Sequence, residues 1–148
     1  MVGYSGTPLA RKLGIKSGHR VALVSAPVGF EKELEGLPEG ALLSRQVRGT
    51  SDVIVLFVER ARDLATRFPV LARRLDLAGG LWVAWPKKAS GRTTDLTEGV
   101  VREICLSTGL VDNKVCAVEE VWSGLRFVVR LADRQDGGRS HRQRSQRR

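Results

Sequence analysis

Apolar residues fall in blocks of strand length, separated by amphipathic or polar segments. Residues 20–26, Arg-Val-Ala-Leu-Val-Ser-Ala, lie between Gly18 and Pro27. Residues 52–58, Asp-Val-Ile-Val-Leu-Phe-Val, are β-branched and apolar almost throughout, and residues 81–85, Leu-Trp-Val-Ala-Trp, stop at Pro86. Strands apolar on both sides belong inside a parallel sheet, where helices cover both faces. Residues 42–47 are more polar, which places that strand nearer an edge. Between the third and fourth blocks, Ala61, Leu64, Ala65, Phe68, Leu71, Ala72 and Leu75 share one helical stripe. Pro69 predicts a kink there or a division into two short helices, and Gly79-Gly80 reads as the end.

Shorter signals complete the outline. Thr7-Pro8 reads as an N-cap and first helical residue of a short helix ending at Gly14, preceded by a flexible start over residues 3–6. Residues 30–35 predict another short helix, closed by Gly36 and Pro38. Asp95-Leu-Thr-Glu98 resembles a capping box with Asp in place of Ser or Thr, opening a helix to about Ser107 that stops at Gly109. Residues 114–122 and 125–131 predict a hairpin turning at Ser123-Gly124. In that hairpin Glu119 lies diagonal to Arg126 and Arg130, a structural charge cluster.

The order β-α-β-β-α-β-α-β-β predicts a three-layer, Rossmann-like α/β domain. Its mostly parallel sheet has about six strands and ends in an antiparallel hairpin. The arrangement resembles a shortened class I methyltransferase fold, an analogy of fold that does not carry function. Length suits one domain over residues 1–132, followed by an arginine-rich tail over 133–148 expected to be disordered.

A second resemblance is carried by particular stretches. These are Gly-Tyr-Ser-Gly-Thr-Pro-Leu (3–9) with Lys-Leu-Gly-Ile-Lys (12–16), Gly-Leu-Trp-Val-Ala-Trp-Pro-Lys-Lys-Ala-Ser-Gly (80–91), Thr-Asp-Leu-Thr-Glu (94–98), Gly-Leu-Val-Asp-Asn-Lys-Val-Cys-Ala (109–117) and Trp-Ser-Gly-Leu-Arg-Phe (122–127). Together they resemble a family of small conserved proteins, common in actinobacteria and catalogued as a domain of unknown function. The resemblance spans roughly residues 3–131 and implies membership, with no catalytic residues to carry over.

Charge and composition narrow the chemistry. The formal net charge is +9, and six arginines against two aspartates lie in residues 133–148. Such a tail can touch nucleic-acid phosphates weakly and without sequence preference, but it has no aromatic residue to stack bases. No apolar run is long enough to cross a membrane, and the first residues have no basic segment followed by an apolar one. A cytoplasmic location is the expectation. Cys105 and Cys116 sit among apolar neighbours at a spacing that fits no metal or redox motif, and read as reduced, buried thiols.

The familiar catalytic motifs are absent. The turn after the first strand, Ser25-Ala-Pro-Val-Gly-Phe30, has one glycine and a proline where a dinucleotide or S-adenosylmethionine loop needs several glycines for close backbone approach. The next strand ends in Ser44, Arg45 and Gln46 rather than in a ribose-holding acid. There is no phosphate loop, no nucleophile elbow and no zinc helix. His19 and His141 have no set of metal partners, so the sequence implies no metal and no cofactor.

What remains is geometry. Ligands in open α/β sheets bind beyond the carboxyl ends of the strands. Lys87 and Lys88 follow such a strand beside Trp85, with Ser90 just beyond, and two ammonium groups there could hold a phosphate or carboxylate; a solvated loop is the competing reading. Ser25 and Phe30 flank the first-strand turn at the expected switch point. The candidate ligand-binding residues are therefore Ser25, Phe30, Lys87, Lys88 and Ser90. The first functional reading is a non-catalytic module binding a small anionic ligand or a protein partner. An enzyme with a site at the carboxyl ends, a reduced relative of methyltransferases, predicts a deep pocket joining Ser25, Phe30, Lys87 and Ser90. A nucleic-acid-associated protein acting through its tail is the third.

Overall fold

A computed structural model describes residues 7–134. The elements are α1 (Leu9–Lys12), β1 (Arg20–Val24), a 3-10 helix (Phe30–Leu34), β2 (Leu42–Ser44), β3 (Ser51–Phe57), α2 (Ala61–Ala72), β4 (Leu75–Pro86), a second 3-10 helix (Lys88–Ser90), α3 (Glu98–Leu106), β5 (Val111–Ala117) and β6 (Trp122–Val128). They build one six-stranded sheet in the order β2-β1-β3-β4-β6-β5. β1 to β4 run parallel, and β6 pairs antiparallel with β4 and with β5. This is the mostly parallel Rossmann-like sheet with a terminal antiparallel hairpin that the apolar blocks predict.

The two faces of the sheet are covered unequally. On one, α2 and α3 bury Leu64, Phe68, Leu71, Val101 and Cys105 against Ile54, Leu56, Leu81, Val83 and Phe127. On the other, among the described residues, α1 and the first 3-10 helix are the helical elements over Val21, Leu23, Val53, Val55 and Trp82. Four-residue α1 is too short to be stable by itself. It is held by burial of Ala10 and Leu13 and by the fully buried Trp82 indole, whose N–H donates to the Leu13 carbonyl at 3.0 Å.

Four local expectations fail for physical reasons. α2 continues through Pro69 as one helix rather than two short ones, because Leu64, Phe68 and Leu71 bury one stripe that outweighs the missing backbone donor. β4 begins at Leu75, so Gly79 and Gly80 lie inside a strand. A Cβ on Gly79 would strike the Asp52 carbonyl, and one on Gly80 would strike the Arg126 guanidinium. These glycines mark close approach, and Ala72 ends the helix. The N-cap of α3 is Thr97, whose hydroxyl accepts the Val100 N–H at 3.2 Å, rather than Asp95. The hairpin turns at residues 118–121, where the Glu119 carboxylate accepts the Val121 N–H at 2.7 Å. Gly124 sits within β6, because a Cβ there would strike Val118. Arg126 therefore pairs with Trp82 and Lys114, and the expected Glu119–Arg126–Arg130 cluster does not form.

Burial pushes both thiols above their ordinary value, Cys105 the further. No helix among the described residues is long and apolar enough to cross a membrane. The expected flexible start lies outside the described residues, as does the tail beyond residue 134.

Gly79→Ala is expected to destabilise the domain by about 1–3 kcal/mol, because the obstruction is backbone that cannot swing away. Urea denaturation checks this, and an unchanged midpoint would show that β4 and Asp52 are not that close.

Candidate functional site

The strand order reverses beside β1, with β2 on one side and β3 on the other. That switch point is where an open α/β sheet leaves a crevice outside its strand ends. A cleft of about 450 Å³ occupies it, lined by residues from the ends of β1 and β3, from α2, from the loop before α3 and from the β5–β6 turn.

Its floor is aromatic. Phe57 at the end of β3 meets Phe30 edge-to-face at 4.9 Å and Trp122 of β6 at 5.1 Å. Three elements supply one ring each, so the floor exists only once the sheet has assembled. Its rim is charged: Arg60, Arg67 and Arg92 face Glu59, Asp63 and Glu119. Arg92 spans the opening, donating through Nε to Glu59 Oε2 at 2.9 Å while its guanidinium carbon lies 5.3 Å from the Trp122 ring centroid.

Ser25 is the one described residue other than glycine with positive φ, at 59°. Such a conformation costs a side chain roughly 1–2 kcal/mol. Here it turns the chain sharply off β1 and aims the hydroxyl at Arg67, whose Nη1 lies 3.0 Å away. Strained backbone of this kind clusters at sites.

Two clamps fix the walls. Arg45, just past β2, donates to the carbonyls of Ala26 and Pro27 at 2.8 and 2.9 Å and forks onto Glu31 at 2.8 and 3.0 Å. This holds the β1 turn against β2. The hydrogen bonds from Arg45 lower the Glu31 carboxyl from its ordinary value, and those same bonds raise the guanidinium. Asp95 bridges to α2 instead of starting α3: its Oδ1 accepts the Ala61 N–H at 2.8 Å, satisfying an open donor at that helix's first turn. The Thr94 hydroxyl donates to the Glu59 carbonyl at 2.6 Å and ties the same loop to β3.

The five candidates drawn from the sequence do not converge. Ser25 lines the switch-point cleft. Phe30 is buried beneath it as part of the aromatic floor. Lys87 lines a different cavity of about 540 Å³, shared with Pro8, Lys12, Glu33 and Glu120, and its N–H donates to the Val121 carbonyl. Lys88 and Ser90 line neither cavity; the Ser90 hydroxyl donates to the Lys87 carbonyl at 2.6 Å and closes its own turn. Neither cavity joins Ser25, Phe30, Lys87 and Ser90; the turn at 118–121 stands between the two, with Glu119 on the walls of both and the Val121 carbonyl accepting the Lys87 N–H. Sequence reasoning missed Arg60, Asp63 and Arg67. The signal was present, since α2 follows β3 directly and its first turn must overhang that strand end.

The strand order is that of a Rossmann-like α/β sheet, and the fold is like a shortened class I methyltransferase fold. Solved structures sharing that fold include magnesium protoporphyrin IX methyltransferase from Synechocystis PCC 6803 with bound SAH, at 12% identity and TM-score 0.55 over 82% of this chain and 78% of that one. The ribosomal protein L11 methylase of Lactobacillus delbrueckii subsp. bulgaricus matches at 15% identity and TM-score 0.54, over 82% and 75%. A SAM-dependent methyltransferase from Aquifex aeolicus matches at 15% and 0.53, over 80% and 86%. No protein-family model matches the chain, and no curated protein does. At these identities the likeness is one of fold.

Ser25→Gly is expected to leave stability unchanged or to raise it by up to about 1 kcal/mol, since glycine adopts positive φ without strain. A clear loss on chemical denaturation would mean that the hydroxyl's bond to Arg67 outweighs the strain. Asp95→Ala should cost about 1 kcal/mol by uncapping α2, read from the same curves.

Proposed function

We propose that this domain binds a small molecule carrying an amino-acid-like pair of charges in the switch-point cleft. The supporting observation is that the hydroxyl of Ser25, a residue with strained backbone, meets the Arg67 guanidinium at a cleft lined by three arginines and three carboxylates. A ligand carboxylate or phosphate suits Arg67 and Arg60, since guanidinium groups fork onto such anions. Neither arginine forms an ion pair with a described residue, whereas Arg92 is held by Glu59. A ligand ammonium suits Asp63 and Glu119. The cleft volume of about 450 Å³ lies within the range of small-molecule sites.

A second reading, catalysis of the methyltransferase kind, is favoured by the fold neighbours, several of which are solved with SAH or SAM bound. S-adenosylmethionine carries the amino-acid charges this rim could take. Its adenosyl half fits less well. The β1 turn offers Gly29 alone, and the position that would hold a ribose is occupied by Arg45, already committed to Glu31 and two carbonyls. Binding through the amino-acid end alone reconciles the fold with that turn.

Calorimetry on the full chain with S-adenosylmethionine, SAH, free methionine and glutamate tests this directly. Saturable binding of one compound, weakened at least tenfold by Arg67→Ala, is expected. No heat with any of them would overturn the zwitterion reading. Turnover of S-adenosylmethionine to SAH in the presence of cell extract would move the assignment to the enzyme.

A further inference from the structure

The opposite end of the sheet carries a third cavity with different chemistry. It occupies about 310 Å³ at the amino ends of β1 and β3, under α1, with Lys12, Lys16, His19, Lys114 and Arg126 on its walls against one acid, Asp52. Asp52 is already engaged, its Oδ2 accepting the Arg20 N–H at 2.8 Å. Lys114 leans in from edge strand β5 and donates to the Lys12 carbonyl at 2.9 Å. His19 accepts the Lys16 N–H on Nδ1 at 3.0 Å, which leaves Nε2 as the nitrogen bearing the proton.

Arg126 makes this cavity more than a basic surface. Its guanidinium lies across Gly80, where any Cβ would collide with it. Its Nε is buried without a hydrogen-bond partner among the described residues. Nη1 makes a single long contact, 3.4 Å to Asn113 Oδ1, and no carboxylate pairs with the group. Burial first, and then the charge of Arg134, lower this guanidinium from its ordinary value. A half-buried cation is normally matched by an acid, because desolvation without a counter-charge is unfavourable. Here the sequence places glycine to admit the guanidinium and sets Lys16 and Lys114 on the same cavity wall, with Asp52 as the one acid among the described lining residues.

We propose that this pocket is an anion site that takes the phosphate or diphosphate group of a small molecule. Phosphate oxygens suit both the guanidinium fork and the ammonium points of Lys16 and Lys114. The site is separate from the switch-point cleft, at the other ends of the same strands, and is independent of what that cleft binds.

The test is calorimetry of the full chain at fixed ionic strength with inorganic phosphate, inorganic diphosphate and ADP, which separates a free anion from a phosphorylated metabolite. Diphosphate is expected to bind at one site per chain. Lys16→Ala/Lys114→Ala should weaken it at least tenfold, and Lys32→Ala/Arg62→Ala, which removes equal charge elsewhere, should change it less than twofold. Arg67→Ala should leave it unchanged. Because Arg126 variants risk misfolding, the Arg126 Nε–H resonance of the unaltered protein supplies the second readout, and it should move as diphosphate saturates. Equal weakening in both double variants, an unmoved Nε–H signal at saturation, or no binding would each overturn the proposal.

Discussion

Everything on the thin side of this sheet depends on how Trp82 is buried. Its ring is fully buried among the apolar side chains of that face, and its indole N–H holds the Leu13 carbonyl just past α1. A four-residue helix contributes almost no stability of its own, so its position is dictated by what it covers. The opposite face needs no such device, since α2 and α3 bring continuous apolar stripes to it. The inequality of the two layers leaves cavities at both ends of the strands, one where α2 overhangs the carboxyl ends and one where α1 stops short of the amino ends.

The charged residues around the carboxyl-end cleft are mostly architectural. Arg45 ties the β1 turn to β2, Asp95 closes the first turn of α2, Glu119 closes the hairpin turn, and Arg92 is bound to Glu59. All are at least partly exposed, so their contribution to stability is modest. What they provide is placement, holding Ser25, Arg67 and the ring of Phe57 around one opening. Arg60 and Arg67 make no ion pair with a described residue.

The two ends differ in electrostatic balance. At the carboxyl end arginines face an equal number of carboxylates, which suits a ligand carrying both signs. At the amino end Asp52 is the one acid among the described lining residues, against three lysines and Arg126, and the buried Nε of that arginine has no hydrogen-bond partner among the described residues. The excess positive charge of the chain is thus not confined to its arginine-rich tail. Part of it is gathered in a cavity, where the lower dielectric strengthens its pull on an anion.

The periodicity of apolar residues was sufficient to read the fold class, the strand blocks at 20–26, 52–58 and 81–85 and the terminal hairpin, because burial on both faces leaves that mark on a strand whatever its neighbours are. Ser25 was legible as a switch-point residue for the same topological reason. The rest of the cleft was not, because it joins residues far apart in the chain: Arg67 to Ser25, Arg92 to Trp122, Arg45 to the turn carbonyls. Glycine shows the divide most sharply. Gly14 and Gly109 read as stops and adopt positive φ, a local property. Gly79, Gly80 and Gly124 read as stops or turns too, yet sit inside strands, because what excludes a side chain there is the Asp52 carbonyl, the Arg126 guanidinium or Val118. A sequence records that a glycine is needed. Whether the need is for a backbone angle or for space is decided by the neighbour that folding brings against it.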